Sequence, residues 1–385
     1  MMPLPASARP TRPGAARATV ETAAALAADP AAWDDLLTRA SAPHPHYGRQ
    51  VVEAHRAHGL APDDLACIVV RREGRLDAVL PFHIARDVSG LGLPVAQPFR
   101  SPFVTGTAPL VADGPDLADT LAALVAGLRE ASGGRAWRWP LLTIDSAVGR
   151  SLLSAMRDAG WDWGIVEAFE RPVLDRRANH DAFLDGHPHR GRLKDLRRRQ
   201  RRLAETGPVR LDTVTGGPEL AEAVEAFLVL EQSGWKGAAG TALACRPQTA
   251  AFARALFAGG TGPVRTRADI LRTGERACAI SLALVAGGTA CLLKTAYDEA
   301  ERANAPGLVL EAEIVRALHE TAFADRLDSA TLGGSALESL YRDRETVAEI
   351  VALPERSALS LERRLRLARF EHAARAEAKR VLRRR

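Results

Sequence analysis

Three groups of residues could carry chemistry. The first lies in the run Glu231-Gln-Ser-Gly-Trp235-Lys236-Gly237. Glu231 and Trp235 share a helix face one turn apart. A Glu beside an amine or hydroxyl can act as general base if burial raises its pKa. The same run also reads as a surface Glu and Lys pair with a buried Trp and a Gly cap; on either reading Trp235 and Lys236 are candidates for lining an acceptor pocket. The second group is Asn304, Ala305, Pro306, Gly307 and Leu308, just before a helical pattern. Unpaired amides and the dipole at a helix start favour a pyrophosphate, and Gly permits close approach; Pro-Gly is equally a preorganised first turn and nothing more. The third is Tyr341, one of three tyrosines. Its phenol can donate a proton, or its ring packs beside Leu337 and Leu340 with the hydroxyl at the surface. Lys294 adds a charge inside an apolar strand pattern, where it needs a partner, solvent or a cleft.

The elements that must position these groups follow from pattern and punctuation. In the second half, Pro218 to Gln232 and Pro247 to Phe257 read as helices. Strands at Val264 to Leu271, Ala277 to Val285 and Thr289 to Tyr297 are joined by turns at Thr273-Gly274 and Gly287-Gly288. A helix at Gly307 to Ala322, a strand at Arg326 to Leu332, a helix at Ser335 to Arg342 and a strand at Val347 to Leu353 complete this half. The first half has helices near Ala24 to Arg39 and Tyr47 to His58, then a hairpin from Leu65 to Val70 and Leu76 to Ile84 turning at Glu73-Gly74. A Gly- and Pro-punctuated stretch leads to a short strand at Pro109 to Val111. Helix Asp116 to Ala131, strand Leu141 to Ile144, helix Val148 to Ala159 and strand Trp161 to Phe169 follow. The shared element order predicts a duplicated architecture.

The chain of 385 residues is 46% hydrophobic and 26% charged, which excludes wholesale disorder and suggests about two domains. No apolar run reaches the ~18 residues of a membrane helix. The first 19 residues read as a disordered leader without a secretory signal, so the cytoplasm is the expected location. Net charge is +5, yet Arg190 to Arg202 and Glu362 to Arg385 each carry +7, which leaves −9 for the rest. Each basic segment is either a solvated helix face or an attractor of anions. The four cysteines form no C-x-x-C pair, and buried free Cys behaves as a small hydrophobe. His44-Pro-His46 and His55-x-x-His58 could converge, but no neighbouring Cys or carboxylate cluster completes a coordination set, and His187-Pro-His189 is no better; no metal is expected. No G-x-S-x-G elbow or Walker loop is present.

These motifs, in this order, resemble the GNAT acyltransferases, and within them the CelD-type branch associated with cellulose biosynthesis. The resemblance rests on Glu231 to Gly237 with Gly240-Thr-Ala-Leu243, on Tyr297-Asp298 through Pro306-Gly307, and on Val70-Arg-Arg-Glu-Gly-Arg through Leu80-Pro-Phe82. Two departures stand out. Arg302-Ala-Asn-Ala-Pro-Gly307 supplies one glycine where a Q/R-x-x-G-x-G/A loop is usual. The late G-x-x-x-Y-K segment becomes Gly333 to Tyr341-Arg342, with longer spacing and Arg for Lys.

The resemblance implies an α/β fold of tandem GNAT-like domains, with mixed, largely antiparallel sheets flanked by helices and a basic C-terminal helix. The expected division is 1–19 leader, 20–175 N-terminal domain, 176–356 acyltransferase domain and 357–385 basic helix. It further implies acetyl-CoA or another acyl-CoA as cosubstrate, with its pyrophosphate at Asn304 to Leu308. Tyr341 becomes the acid for the leaving thiolate and Glu231 the candidate base, while Trp235, Lys236, Lys294 and Tyr297 contact an amine or hydroxyl acceptor on a sugar-containing molecule or small metabolite. Fem-type aminoacyltransferases share the two-domain plan, so transfer from charged tRNA, with Arg190 to Arg202 against phosphates, is the alternative enzyme. A non-catalytic protein binding an anionic partner is the third reading. Residues 361–385 are expected to dock weakly or stay mobile and to touch anionic membranes or polymers.

Overall fold

The computed structural model describes residues 14–382 except 206, 261, 333 and 355–358. Most of the expected leader, residues 1–13, lies outside the described residues. Its last part does not: Arg17–Thr22 forms strand β1, paired antiparallel with the next strand from Arg17↔Arg71 to Thr22↔Ala66.

The first half continues with α1 (Ala23–Ala27), α2 (Pro30–Arg39), α3 (Arg49–Ala57), β2 (Ala66–Arg72), β3 (Arg75–Arg86), β4 (Pro94–Pro98) and β5 (Leu110–Val111). It closes with α4 (Leu117–Ser132), β6 (Trp137–Thr143), α5 (Ala147–Asp158) and β7 (Asp162–Asp175). The helix expected over 24–39 is two helices, because Asp29 accepts from Ala32 N and Pro30 takes the first position of a new one.

In the second half come α6 (His180–Leu184), α7 (Arg190–Ala204), β8 (Val209–Val214), α8 (Gly217–Ser233), α9 (Trp235–Ala238), α10 (Pro247–Phe257), β9 (Arg265–Thr273) and β10 (Arg276–Ala286). Then follow β11 (Thr289–Tyr297), α11 (Pro306–Thr321), β12 (Arg326–Asp328), β13 (Asp343–Leu353) and α12 (Leu361–Leu382). Two expectations are corrected here. The strand expected over 326–332 ends at Asp328. The helix expected over 335–342 is a single 3-10 turn, Ala336–Ser339, held by a Ser335 and Glu338 capping box.

All strands join one sheet in the order β1-β2-β3-β4-β6-β13-β7-β12-β11-β10-β9-β8, with β5 on β3. Each half repeats one motif: four antiparallel strands, then a single parallel pair, β4 with β6 and β11 with β12. The halves exchange their last strands. Residue 175, the expected boundary, ends β7, but that strand pairs with β12 of the second half, while β13 lies between β6 and β7. Helices α8 and α10 pack on the face of β9–β11 that shares a core with the first half; α7 and α11 cover the other face over a second core.

Helix α12, expected to dock weakly or stay mobile, lies docked on β7 and β13. Ala368 and Arg364 are buried. Leu365 fills the space left by Gly164, and Arg369 donates to the Ile165 carbonyl at 2.7 Å. Arg138 gathers Asp87 (2.8 Å), Glu349 (2.7 Å) and Glu371 of α12 (2.5 Å). Polar residues of this helix thus share the docking with its short apolar stripe, Leu361, Leu365 and Ala368. Truncation after Ser360 should lower unfolding free energy by roughly 2–4 kcal/mol. Urea denaturation checks this; an unchanged midpoint would mean that the contacts contribute nothing.

Candidate active site

Strands β11 and β12 pair over Thr289↔Arg326, Ala290↔Leu327 and Cys291↔Asp328, after which β12 ends and β11 runs on to Tyr297. Among the described residues, β11 beyond Cys291 has a strand neighbour only on its β10 side. The result is a gap in the sheet edged by β11 backbone with no strand paired to it among the described residues. At its mouth α11 begins. Ala305 adopts a left-handed φ of +47°, Pro306 takes the first helical position, and Gly307 follows. A Cβ on Gly307 would lie 3.4 Å from Tyr297 Cδ1 and 3.9 Å from Thr295 Cγ2, so the missing side chain keeps the helix start open toward β11. Pro306 has no N–H, and the Leu308 and Val309 amides donate to the Ala305 carbonyl at 3.0 and 3.1 Å, which leaves the Gly307 amide as the one turned to a ligand.

Residues 304–308 thus share one loop and helix start. Asn304 donates to Glu301 at 3.0 Å. The basic helix α7 lies alongside: Arg199 donates to the Ala303 carbonyl at 2.5 Å, and Lys194, Arg197, Arg201 and Arg202 are exposed. Two features far apart in the sequence, the cationic segment and the helix start, are therefore neighbours, with Glu299 and Glu301 in the loop between β11 and α11.

On the other face of β11, Glu231 ends α8. Both its oxygens are engaged, one by Lys236 Nζ (2.8 Å) and one by the Leu243 amide (2.8 Å). Lys236 also reaches the Thr295 carbonyl at 3.4 Å. The surface pair with a buried Trp is inverted in the fold: Glu231 is buried, whereas Trp235 is 59% exposed. Gly237 is required, because a Cβ there would overlap the Gln232 carbonyl oxygen. Glu231, Trp235, Lys236 and Tyr297 line one small cavity of about 30 Å³. Lys294 extends from β11 toward the first half, its Nζ 4.6 Å from the Phe103 ring centroid. Burial pulls its pKa down, with Lys236 adding repulsion.

Glu311 is the residue that sequence reasoning missed. It sits one turn beyond Gly307 and is 3% exposed. Thr295 Oγ1 donates to it at 3.2 Å and the Tyr341 hydroxyl at 3.5 Å. Burial pushes Glu311 up to about 7, against the pull of these hydrogen bonds. Tyr341 itself is fully buried, directly after the 3-10 turn, and burial beside Glu311 pushes its phenol up as well. Its hydroxyl is therefore in the core, not at the surface. Beside Thr295 in register stands Ser281, whose buried Oγ has no partner among the described residues. The signal was present: Gly307, Leu310, Glu311, Ile314 and Leu318 form one helix stripe, and an acid inside an apolar stripe is a buried acid.

A raised carboxyl pKa has a defined sign. Between its ordinary value and about 7, folded Glu311 binds a proton that the unfolded chain has released, so stability falls as pH rises through that window and levels above it. Glu311→Gln removes this term. The variant should gain roughly 2–3 kcal/mol relative to wild type between pH 4.5 and pH 8. Urea unfolding at both pH values tests it, and a difference independent of pH would refute the assignment.

The equivalent helix start in the first half precedes α4. There Arg39, Arg72, Arg75, Asp77, Asp113 and Asp116 line a cavity of about 420 Å³. Its arginines face acids: Arg39 and Arg72 pair with Asp77 at 3.7 and 3.4 Å. Acids at this helix start oppose a phosphate. A larger cavity of about 910 Å³ separates the halves, walled by His83, Phe99, Arg100 and Ser101 on one side and by Ala330 and Leu332, just past β12, on the other.

Residues 190–338 match the acetyltransferase (GNAT) domain family. The match contains Glu231, Gly307 and Glu311 and stops just before Tyr341. No curated protein matches the chain. Among solved structures, FemX is 12% identical with a TM-score of 0.54, over 84% of this chain and 95% of that one. The C-terminal domain of a putative lysylphosphatidylglycerol synthetase from Agrobacterium fabrum is 15% identical with a TM-score of 0.50, over 86% and 92%. A conserved protein of unknown function from Bacteroides thetaiotaomicron is 13% identical with a TM-score of 0.52, over 85% and 97%. At these identities the likeness concerns the fold. The fold is α/β, and residues 190–338 carry an acetyltransferase (GNAT) domain.

Proposed function

We propose that the second half transfers an acyl group, acetyl from acetyl-CoA, directly to an amine or hydroxyl of a sugar-containing or small-metabolite acceptor, in line with the CelD-type resemblance. The observation that carries this reading is the opening between β11 and β12 with Gly307 at its mouth. An extended ligand bearing amides can satisfy the unpaired β11 edge as an added strand would. Pantetheine is such a ligand. Its pyrophosphate then meets the start of α11, with α7 supplying positive charge.

In this reading the acceptor nucleophile attacks the thioester carbonyl, the C–S bond breaks, and the thiolate takes a proton. Tyr341 supplies that proton and is reprotonated by Glu311, while the proton lost by the acceptor nucleophile passes to solvent water, from which Glu311 recovers its own. Glu231 holds Lys236 in place, and Lys236 and Lys294 orient the acceptor, which enters from the cavity between the halves. The acids at the α4 start favour the second half as the CoA site. The test is a thiol-release screen with acetyl-CoA across amino sugars, polysaccharides and small amines. Acceptor-dependent release supports the reading, and none with any class of acceptor counts against it.

A second reading, aminoacyl transfer from charged tRNA, draws on the exposed Lys194, Arg197, Arg201 and Arg202 beside the helix start. Salt-sensitive tRNA binding without acetyl-CoA binding would favour it.

A further inference from the structure

The histidine pair His44-Pro-His46 is joined in the fold by residues from the other half of the chain, not by His55 and His58. His55 is instead held by the Val51 carbonyl and Ser101 Oγ, each at 2.7 Å. His46 Nε2 lies 3.9 Å from Cys291 Sγ, and that sulfur lies 3.8 Å from Asp328 Oδ2. One ligand atom from each of the three residues falls within 4.8 Å of the others, and the residues are 2%, 1% and 8% exposed.

We propose that His46, Cys291 and Asp328 bind one divalent transition metal of the zinc type, which staples the two halves together at the closed end of the β11 and β12 opening. Metal-to-ligand lengths of about 2.0–2.3 Å in a tetrahedron place ligand atoms roughly 3.3–3.7 Å apart. The two separations to the Cys291 sulfur need to contract by only a few tenths of an ångström, and the His46 and Asp328 atoms, within 4.8 Å of each other, by at most about 1.5 Å. Cys291 and Asp328 are register partners across the last rung of the parallel pair, so their side chains leave the same face of the sheet. His46 is brought to them by a turn fixed on both sides: His44 Nε2 hydrogen-bonds the Ala108 carbonyl at 2.9 Å, and Tyr47 accepts from Trp33 Nε1 at its carbonyl (3.0 Å) and donates its hydroxyl to the Phe99 carbonyl (2.8 Å). Gly106 leaves room for the ring, since a Cβ there would stand 3.1 Å from His46 Cδ2. Asp328 uses Oδ1 for the Ala330 amide, at 2.8 Å, and turns Oδ2, which also faces Arg171 Nη1 at 3.6 Å, toward Cys291 and the metal. Thr105 Oγ1, 3.3 Å from His46 Nε2, or a water can complete the set.

Charge agrees with the geometry. Arg171 Nη1 stands 3.6 Å from Asp328 and 3.5 Å from Glu345, so one guanidinium serves two buried carboxylates. With the Cys291 thiol deprotonated and its proton released to solvent, three negative groups face Arg171 and a dication, and the buried assembly is neutral. Neither the CoA site nor the acceptor cavity is needed for this binding, so it stands or falls separately from the proposed function.

The test uses the untagged full-length protein, expressed in medium supplemented with cobalt(II) so that the ion meets the chain as it folds. We expect one cobalt per chain by elemental analysis and a thiolate-to-cobalt charge-transfer band in the near ultraviolet. The band should vanish in Cys291→Ser and persist in Cys67→Ser. His46→Gln, which keeps the thiol and should fold even if Cys291→Ser does not, should retain less than about a tenth of the bound cobalt. A wild-type protein without bound cobalt or without the band, a band that survives Cys291→Ser, or full cobalt content in His46→Gln would each overturn the site.

Discussion

Tyr341→Phe should lower turnover about 100-fold while leaving acetyl-CoA affinity within about twofold. The phenol is fully buried with its hydroxyl 3.5 Å from Glu311, so the ring's packing survives the substitution and only the proton is lost. A proton donor acts in the transition state, which is why the effect belongs in kcat and not in binding. Burial also keeps the phenol protonated throughout the working pH range. Glu311, poised at about 7 and needed in its protonated form to reprotonate Tyr341, should then set the upper limb of the pH profile in the wild type, and that limb should flatten in Tyr341→Phe. Steady-state kinetics with a competent acceptor decides the matter: unchanged turnover would reduce Tyr341 to a packing residue.

The largest stability effect is expected at Arg171. This side chain is fully buried in β7, donates to the carbonyls of Thr331 (3.0 Å) and Thr105 (2.6 Å), and faces both Asp328 and Glu345. It therefore ties the loop before β5 to the segment after β12 and neutralises two carboxylates. Arg171→Leu keeps the volume roughly constant but strands both acids, and should cost roughly 3–5 kcal/mol. Glu345 is already pushed up to about 7 by burial and the nearby Asp328. The loss should accordingly be smaller at pH 5, where that carboxyl is protonated, than at pH 8. Urea denaturation at both pH values measures it; a loss below about 1 kcal/mol would mean that the two acids find other partners.

The hairpins of the second half were legible because Gly274 and Gly288 adopt left-handed φ values of +57° and +80° at the turns between β9, β10 and β11. The helix start at Pro306-Gly307 was legible for a similar reason, the local chemistry of Pro and Gly. Strands β1 and β8 were not, and both are sheet edges. Arg17 and Glu21 in one, and Arg210 and Asp212 in the other, present charge as edge strands often do, which removes the apolar run that marks a strand. Strand β4 hid within a Gly- and Pro-rich stretch. The exchange of β7 and β13 is a long-range pairing that no local pattern encodes. In the site, Glu231, Trp235, Lys236 and Tyr297 were singled out from the sequence and the fold gathers them around one cavity. Glu311 was passed over as one charge among several on its helix, and Cys291 as a small hydrophobe. Their significance lies in what the rest of the chain brings beside them, Tyr341 in one case and His46 in the other.

The central claim is that acyl-CoA enters the opening between β11 and β12 with its pyrophosphate on the start of α11. Calorimetric titration of the full-length chain with acetyl-CoA, beside the same titration of Gly307→Val, tests it most directly. The branched side chain projects toward Tyr297 and Thr295, where even a Cβ is already in contact, and closes the approach to the backbone amides. The account predicts one acetyl-CoA per wild-type chain and at least about tenfold weaker binding to a Gly307→Val protein that unfolds at the same urea concentration. No binding to the wild type, two equivalents per chain, or undiminished affinity in the folded variant would contradict it.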